Sequence, residues 1–178
     1  NEYGFLRKYS NYLWFNDTRT FHSFDRKLWG LRFGNDFSTQ NLMVFEADFA
    51  YSSRTKDYDK PRTTNRYIEE PENFQAKLVM QSNKNKDFSY RIQWNNFAYF
   101  KEDFEEQKSQ NRLNLSTLYR FSEQFSLALK SNHLNFKDDV GYLKTLNQDI
   151  YFGRRDIRSV ENNINLSYFF DSKKWINL

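Results

Sequence analysis

Apolar and polar residues alternate with a period of two along most of this chain, and this alternation constrains the fold more than any other feature. In the run "MVFEADFAYS", Phe45, Ala47 and Phe49 alternate with Glu46 and Asp48. Successive side chains of a strand point to opposite faces, so the spacing predicts a strand with one apolar and one charged face. Six further runs alternate in the same way, at 27–35, 74–81, 88–95, 113–121, 125–132 and 163–170.

The connections between these runs alternate in length. Short turns at 35–40, 82–87, 122–124 and 171–174 separate long polar segments at 52–73, 101–111 and 137–162. In an antiparallel meander this order places the short turns at one end and the long loops at the other, as in outer-membrane barrels. Residues 9–15 and 148–152 stay unassigned as strand or connection. The alternation changes phase after Trp94 and after Leu129, which predicts a bulge at each position.

Charged residues on the polar face separate a transmembrane barrel from a soluble sandwich. The core of a sandwich cannot hold many charges, whereas the hydrated lumen of a barrel can. Runs of about 8–12 residues also match strands that cross a bilayer at a tilt. The residues predicted to line the lumen are Arg32, Glu46, Asp48, Lys77, Arg91, Arg120 and Lys130.

These observations predict an all-β fold, an antiparallel up-and-down transmembrane β-barrel, in preference to a lipocalin-like barrel or a sandwich. Residues 1–178 are expected to form a single segment of about 7–9 strands from a larger barrel. The last run, "KWINL", supports a partial barrel because it begins a strand and extends only about halfway across a bilayer.

Composition excludes several other classes of protein. The absence of Cys excludes a disulfide framework and Cys-based zinc or redox sites. A mean hydropathy of -0.95 argues against a membrane-spanning helix, and the net charge of +4 is too diffuse for nucleic acid. Aromatic residues make up 20% of the chain and cluster at the ends of the predicted strands, where interfacial girdles lie.

Two similar segments, "EYGFLRK" at 2–8 and "DVGYLKT" at 139–145, share a Gly followed by an aromatic residue and Leu. We expect both to lie at the long-loop end of the barrel. There the Gly would allow the chain to bend over the rim, and the aromatic residue would pack at the membrane interface.

The end of the chain resembles a family of bacterial outer-membrane barrel proteins. The resemblance is close over 139–178 and looser over "GFLRKYSNY" at 4–12. It is carried by a Gly-Arg-Arg-Asp segment at 153–156, by Val-Glu-Asn at 160–162 and by a Phe-turn-Lys connection at 170–174. It implies a two-part protein, in which a β-sandwich similar to family 9 carbohydrate-binding domains precedes a large barrel domain of unknown function.

The Gly-Arg-Arg-Asp segment is the strongest candidate for a specific role. Its basic residues are expected to pair with acidic residues of neighbouring loops and to pin the long segment over the mouth of the barrel. The alternative is contact with lipopolysaccharide phosphates. The residues assigned to this pinning role are Gly153, Arg154, Arg155, Asp156 and Glu161.

Catalytic and metal sites are weakly supported. Glu46 and Asp48 lie two residues apart on one predicted face, which is compatible with a carboxylate pair for glycoside hydrolysis, but nearby Arg32, Lys77 and Arg91 favour an ion-paired network. His22 and His133 are interpreted as interfacial residues because neither has companion ligands nearby in sequence. The acidic run "KEDFEEQK" at 101–108 matches no calcium loop and is interpreted as a solvated loop. We therefore expect no catalytic residue, no metal and no cofactor.

The expected function is that of a non-enzymatic outer-membrane β-barrel segment acting as a pore, a carbohydrate-associated surface platform or a subunit of an envelope complex. Its expected partners are outer-membrane lipid and lipopolysaccharide, then carbohydrate and other outer-membrane subunits, and not nucleic acid. Long loops would be extracellular and short turns periplasmic. Two alternatives remain: the barrel of a TonB-dependent active transporter, and an outer-membrane hydrolase acting on glycans.

Overall fold

The computed structural model describes residues 4–19, 26–57, 67–100, 108–147, 149–171 and 174–177. Eleven strands lie within these ranges. They are β1 (Leu6–Arg19), β2 (Arg26–Thr39), β3 (Val44–Ser52), β4 (Thr55–Asp57), β5 (Ile68–Glu70), β6 (Asn73–Gln81), β7 (Phe88–Tyr99), β8 (Ser109–Arg120), β9 (Phe125–Leu146), β10 (Asp149–Asp171) and β11 (Lys174–Asn177). In this part of the chain there is no helix that is long and apolar enough to cross a membrane.

Nine of the strands form one antiparallel meander, in the order β1-β2-β3-β6-β7-β8-β9-β10-β11. The short strands β4 and β5 form a separate hairpin within the connection from β3 to β6. Each long strand pairs with its neighbour in the meander, and β1 and β11 are the two edges of an open sheet in the described ranges. The predicted all-β, up-and-down antiparallel fold is confirmed.

The predicted alternation of short and long connections is confirmed only in part. The connections that follow β2, β6, β8 and β10 are short and lie together at one end, which we call the short-turn end. The opposite end carries the connections that follow β1, β3, β7 and β9, and we call it the long-connection end, although the connection from β9 to β10 spans only residues 147 and 148. Residues 9–15, left unassigned from the sequence, lie in β1, and residues 149–152 lie in β10, whereas residue 148 is outside the described ranges.

The prediction of a long loop at 137–162 is wrong. Strands β9 and β10 continue through this segment and meet close to residue 147, and they have 22 and 23 residues. Strand β8 pairs with β9 only as far as Lys137, so residues 138–146 pair with β10 alone. This part of the hairpin extends about 30 Å beyond its neighbour at roughly 3.4 Å per residue.

The predicted bulges after Trp94 and Leu129 are also wrong. The pairing of β7 with β6 and β8, and of β9 with β8, continues through both positions without a shift of register. The residues that suggested a change of phase, such as Asn96 and His133, are polar residues on the face that is elsewhere apolar. A shift of register does occur in β10, between Arg155 and Ile157, where Asp156 accepts a hydrogen bond of 3.0 Å from the backbone N–H of Asp138.

The two Gly-aromatic-Leu segments do not share a location. Leu6 pairs with Thr39, which places the first segment at the short-turn end, and Gly4 has a positive φ of 53°. In the second segment Gly141 pairs with Gly153 inside the β9–β10 hairpin, at the long-connection end. The prediction of a common re-entry role at one rim is therefore wrong.

The sheet is a single layer without a conventional hydrophobic core. Among the hydrophobic residues that the structure describes, only Ala76 and Val79 are buried. One face carries the large apolar side chains, and these are largely exposed, with Leu13 at 74% and Ile164 at 69%. We call this the apolar face. The opposite face carries most of the charged and amide side chains, and we call it the polar face. In the part of the chain that the structure describes, no second layer covers the apolar face.

Close packing on the polar face joins β1 to β2 at Gly34. The ring of Tyr12 lies across this glycine, so an added Cβ would overlap the ring carbons and the hydroxyl oxygen. Tyr12 and Gly34 face each other directly in the register of the two strands. An aromatic ring that covers a glycine in this way fills the space left by the missing side chain and fixes the register.

We expect Gly34→Ala to lower the free energy of unfolding by about 1–3 kcal/mol, because the added methyl group must displace the Tyr12 ring. The matched control is Gly141→Ala, since a Cβ at that glycine meets no atom within 4 Å. The measurement is denaturant unfolding of the intact protein in detergent, followed by Trp fluorescence. Equal losses for the two variants would show that the ring does not depend on Gly34.

Candidate functional site

All seven residues predicted to line a lumen lie on the polar face. Residues that pair directly in the register lie on the same face. Asp48 pairs with Lys77, Arg91 pairs with Ser116, and Ser116 pairs with Lys130. Arg32 lies on this face beside Asp48, and Arg120 lies four residues after Ser116 along β8. The side chains thus share one surface, although they come from six strands. That this surface lines a lumen stays a prediction.

Asp48 is the centre of the charged cluster. Both of its carboxylate oxygens lie 2.9 Å from Nε of Arg32, and its Oδ2 accepts a hydrogen bond from the hydroxyl of Tyr12. Only 9% of the residue is exposed, in the middle of a sheet that lacks a core. A carboxylate that is removed from water in this way requires charged or polar partners, and β1 and β2 supply them.

Glu46 forms the second ion-paired group. Its Oε2 accepts a hydrogen bond of 2.9 Å from Nζ of Lys77, and its Oε1 lies 3.9 Å from Nη1 of Arg91. Arg91 also donates to the side-chain oxygens of Gln81 and Gln93, at 3.1 and 3.2 Å. The ion-paired network that the sequence favoured over a catalytic carboxylate pair is therefore present.

Arg120 and Lys130 lie outside this network. Nη1 of Arg120 donates to the backbone carbonyls of Lys84 and Lys86, at 3.0 and 2.9 Å. It therefore stabilises the turn between β6 and β7 at the short-turn end. Lys130 is exposed on β9, between Ser116 and Asn163 on the neighbouring strands.

A shallow pocket of about 440 Å³ opens on the polar face next to the Arg32–Asp48 pair. Its lining combines these charges with side-chain amides and one aromatic ring from the central strands. The principal residues of that lining are Gln75, Lys77, Gln93, Asn95, Phe97, Gln110, Arg112 and Asn114. Amides donate and accept hydrogen bonds together, so this surface suits water and small polar solutes.

The residues assigned to loop pinning lie in β10 and not in a loop. Nε of Arg155 donates to Asp139 of β9 at 2.8 Å, and Nζ of Lys108 lies 4.0 Å from the same carboxylate. Arg154 pairs with Val140, and Gly153 lies against Leu143, which a Cβ would approach within 2.9 Å. Glu161 lies further along β10 and accepts a hydrogen bond of 3.2 Å from Asn163. Most of these contacts hold β9 to β10, and Lys108, the residue before β8, adds an ion pair with β9.

Tyr12 and the amides that hold Arg91 could not be identified from the sequence. Strand β1 shows no alternation because both of its faces carry large apolar or aromatic residues, with Tyr12 and Trp14 on the polar face and Leu13 and Phe15 on the other. Alternation is visible only where the two faces differ in polarity. Gln81 and Gln93 stood at polar positions of predicted strands, but a neutral amide is a weak sequence signal for a site.

Histidines and acidic residues provide no metal site in the part of the chain that the structure describes, where no group of three or more such side chains converges. His22 and residues 101–107 of the acidic run lie outside the described residues. His133 lies on the apolar face of β9, where its Nε2 is 2.8 Å from the hydroxyl of Ser131.

A family described as "Domain of unknown function (DUF5916)" matches residues 1–178, the whole length of the chain. The chain belongs to this family. The resemblance to a domain of unknown function is thus confirmed over the whole chain and not only over 139–178, whereas the neighbouring carbohydrate-binding domain stays a prediction. No curated protein and no solved structure matches the chain. Membership of the family names no activity, so the function is argued from geometry.

We expect Asp48→Ala to lower the free energy of unfolding by about 2 kcal/mol, because it removes a hydrogen-bonded carboxylate from a nearly buried position. The side chain of Arg32 is 47% exposed and regains water in the variant, so the loss stays below the 3–5 kcal/mol that breaking a fully buried pair costs.

The matched comparison is Glu46→Ala, whose side chain is 25% exposed and whose partners are also part-exposed. We expect this variant to lose about 1 kcal/mol or less. Both values come from denaturant unfolding of the intact protein in detergent. A larger loss for Glu46→Ala than for Asp48→Ala would contradict the central position given to Asp48.

Proposed function

We propose that this chain forms part of the wall of a transmembrane β-barrel in the bacterial outer membrane, with its polar face lining a hydrated lumen. The observation that supports the proposal is the single-layer sheet itself, which is apolar and exposed on one face and ion-paired on the other. Lipid on one side and water on the other satisfy both faces at once. A soluble sheet of this kind would need a second layer.

Aromatic rings at both edges of the apolar face support the same proposal. At the short-turn end, ring contacts with centroids 4.6–6.4 Å apart continue across four strands from β7 to β10. The rings are those of Phe88, Tyr119, Phe121, Phe125, Tyr168 and Phe170. Nearer the long-connection end, Tyr51 contacts Trp29 and Phe100 at 5.3 and 6.1 Å. Aromatic girdles of this kind mark the two interfaces of outer-membrane barrels.

The size of the apolar face fits a membrane. On β3 it extends from Phe45 at one aromatic edge to Tyr51 at the other, which is about 20 Å along the strand at roughly 3.4 Å per residue. Between these edges the face carries Leu78, Ile92 and Leu115 on β6, β7 and β8, together with the rings of Phe49 and Trp94. An outer-membrane barrel carries an apolar band of about 25 Å.

The polar face supports a lumen that conducts water and small polar solutes. Arg32, Lys77 and Arg91 pair with Asp48 and Glu46, and side-chain amides fill the space between these pairs and the pocket beside Asp48. Arg120 and Lys130 add basic side chains outside the pairs. Charged groups and amides together keep this face hydrated, so the proposal favours a pore for small polar solutes.

We expect nitroxide labels at Leu129→Cys and Lys130→Cys to report opposite surroundings. These adjacent residues of β9 lie on opposite faces, and the chain has no other Cys. With the intact protein in lipid vesicles, the label at 129 should collide with dissolved oxygen, and the label at 130 with a water-soluble nickel complex. The measurement is the saturation of the spin-label signal.

A second pair of labels, on β6 and β7, tests whether the contrast is specific to β9. Leu78→Cys and Gln93→Cys lie on the apolar and polar faces of β6 and β7 and should repeat the contrast. Equal exposure to the nickel complex at all four positions would overturn the proposal, because it would show water on both faces of the sheet.

A further inference from the structure

A polar cluster interrupts the apolar face on β9 and β10. Ser131 and His133 follow Leu129 on this face of β9, and Asn162 pairs with Ser131 across the two strands. Their neighbours are apolar: Leu115 and Leu113 face Ser131 and His133 from β8. Polar side chains on a face exposed to lipid are costly, and such positions are functional candidates.

The cluster has the geometry of an activated nucleophile. The hydroxyl oxygen of Ser131 lies 2.8 Å from Nε2 of His133 and 2.6 Å from Oδ1 of Asn162. A serine within hydrogen-bond reach of an imidazole is the arrangement that acyl-transfer enzymes use to generate an alkoxide-like nucleophile. The spacing Ser-x-His places both side chains on one face of the strand, two residues apart.

Asn162 sets the direction of these hydrogen bonds. A hydroxyl carries one proton, so while Ser131 donates to Oδ1 of Asn162, the imidazole donates to the hydroxyl oxygen. Rotation of the Asn162 amide by 180° brings its Nδ2 group to Ser131 and frees the hydroxyl proton for Nε2 of His133. In that arrangement His133 is the general base, and the Asn162 amide is a donor next to the reacting oxygen.

The position of the cluster indicates its substrate. Val160 faces His133, Ile164 faces Leu129, and both are more than 60% exposed on the apolar face. The cluster lies toward the long-connection end of that face, where the apolar side chains give way to Asn96, Asn111 and Asn135. Resting on the proposed function, this is the depth at which the acyl chains of a lipid join its polar headgroup through ester bonds.

We propose that Ser131 and His133 form a hydrolase site for the acyl esters of membrane lipids, on the outside of the barrel wall. Ser131 Oγ bonds to the ester carbonyl carbon as its proton moves to Nε2 of His133. The bond from that carbon to the lipid alcohol then breaks, and the imidazole returns the proton to the leaving oxygen. Water hydrolyses the resulting acyl-serine by the same route, giving a free fatty acid and restoring the serine hydroxyl.

The first test uses the intact protein in detergent and two probes that do not require a membrane. A fluorophosphonate reagent should label the wild-type protein on Ser131, and p-nitrophenyl butyrate should be hydrolysed. We expect Ser131→Ala to abolish both reactions. His133→Gln keeps a hydrogen-bonding side chain, and we expect it to lower both rates by about 100-fold or more. Asn162→Ala should lower hydrolysis by about 100-fold.

Ser126→Ala is the matched control, because Ser126 lies on the same strand but on the polar face. It should react as the wild type does. Failure of the wild-type protein to react with either probe would overturn the proposal. Wild-type rates in Ser131→Ala or His133→Gln would also overturn it, and the use of two variants keeps the test valid if one of them does not assemble.

In the second test, the intact protein is reconstituted in phosphatidylethanolamine vesicles, and the release of fatty acid is measured. Release that depends on Ser131 supports the lipid substrate. Hydrolysis of the soluble ester without release of fatty acid overturns the lipid substrate. The spin labels at 129 and 130 report separately whether the apolar face meets lipid, so a failure of the barrel proposal and a failure of the hydrolase site give different results.

Discussion

The whole structure depends on the exposure of one apolar face of a single-layer sheet. In a soluble protein such a face packs against a second sheet or a helix, and the burial of apolar surface stabilises both layers. The nine-stranded meander has no second layer in the ranges that the structure describes, and its buried hydrophobic residues there are Ala76 and Val79. Backbone hydrogen bonds between neighbouring strands therefore hold the sheet together, and the proposed membrane would supply the apolar contact.

The polar face follows from the same constraint. Asp48, Arg32 and Tyr12 join β1, β2 and β3 through side chains, and Glu46 extends the cluster to β6 and β7. These links run across the strands, so they oppose the sliding of one strand along the next. They are strongest where the carboxylate is least exposed, since water competes with each exposed partner. The ion pairs of Asp48 and Glu46 thus help to fix the register of the first five strands of the sheet and keep the polar face hydrated.

The extended hairpin of β9 and β10 has a different character from the rest of the sheet. Beyond Lys137 it loses its neighbour β8, and its cross-strand side-chain contacts include the Arg155–Asp139 pair, the packing of Leu143 on Gly153 and the ring contact of Tyr142 with Phe152. On the short-turn side of Lys137, the cluster of Ser131, His133 and Asn162 lies on the apolar face. The sheet therefore combines a hydrated face, an apolar face and a polar cluster within the apolar face, each with its own chemistry.

The sequence alone determined the strand class, the antiparallel meander and the face on which seven charged residues lie, because alternation with a period of two is a local property. Only the tertiary structure decided the contacts between residues that are far apart in the sequence and the full length of β9 and β10. It brought Tyr12 of β1 to Asp48 of β3 and Asn162 to Ser131, and it continued β9 and β10 through a segment in which apolar and polar residues do not alternate. Where the faces do not differ in polarity, as in β1 and in residues 138–146, backbone pairing forms the strands without leaving a pattern in the sequence.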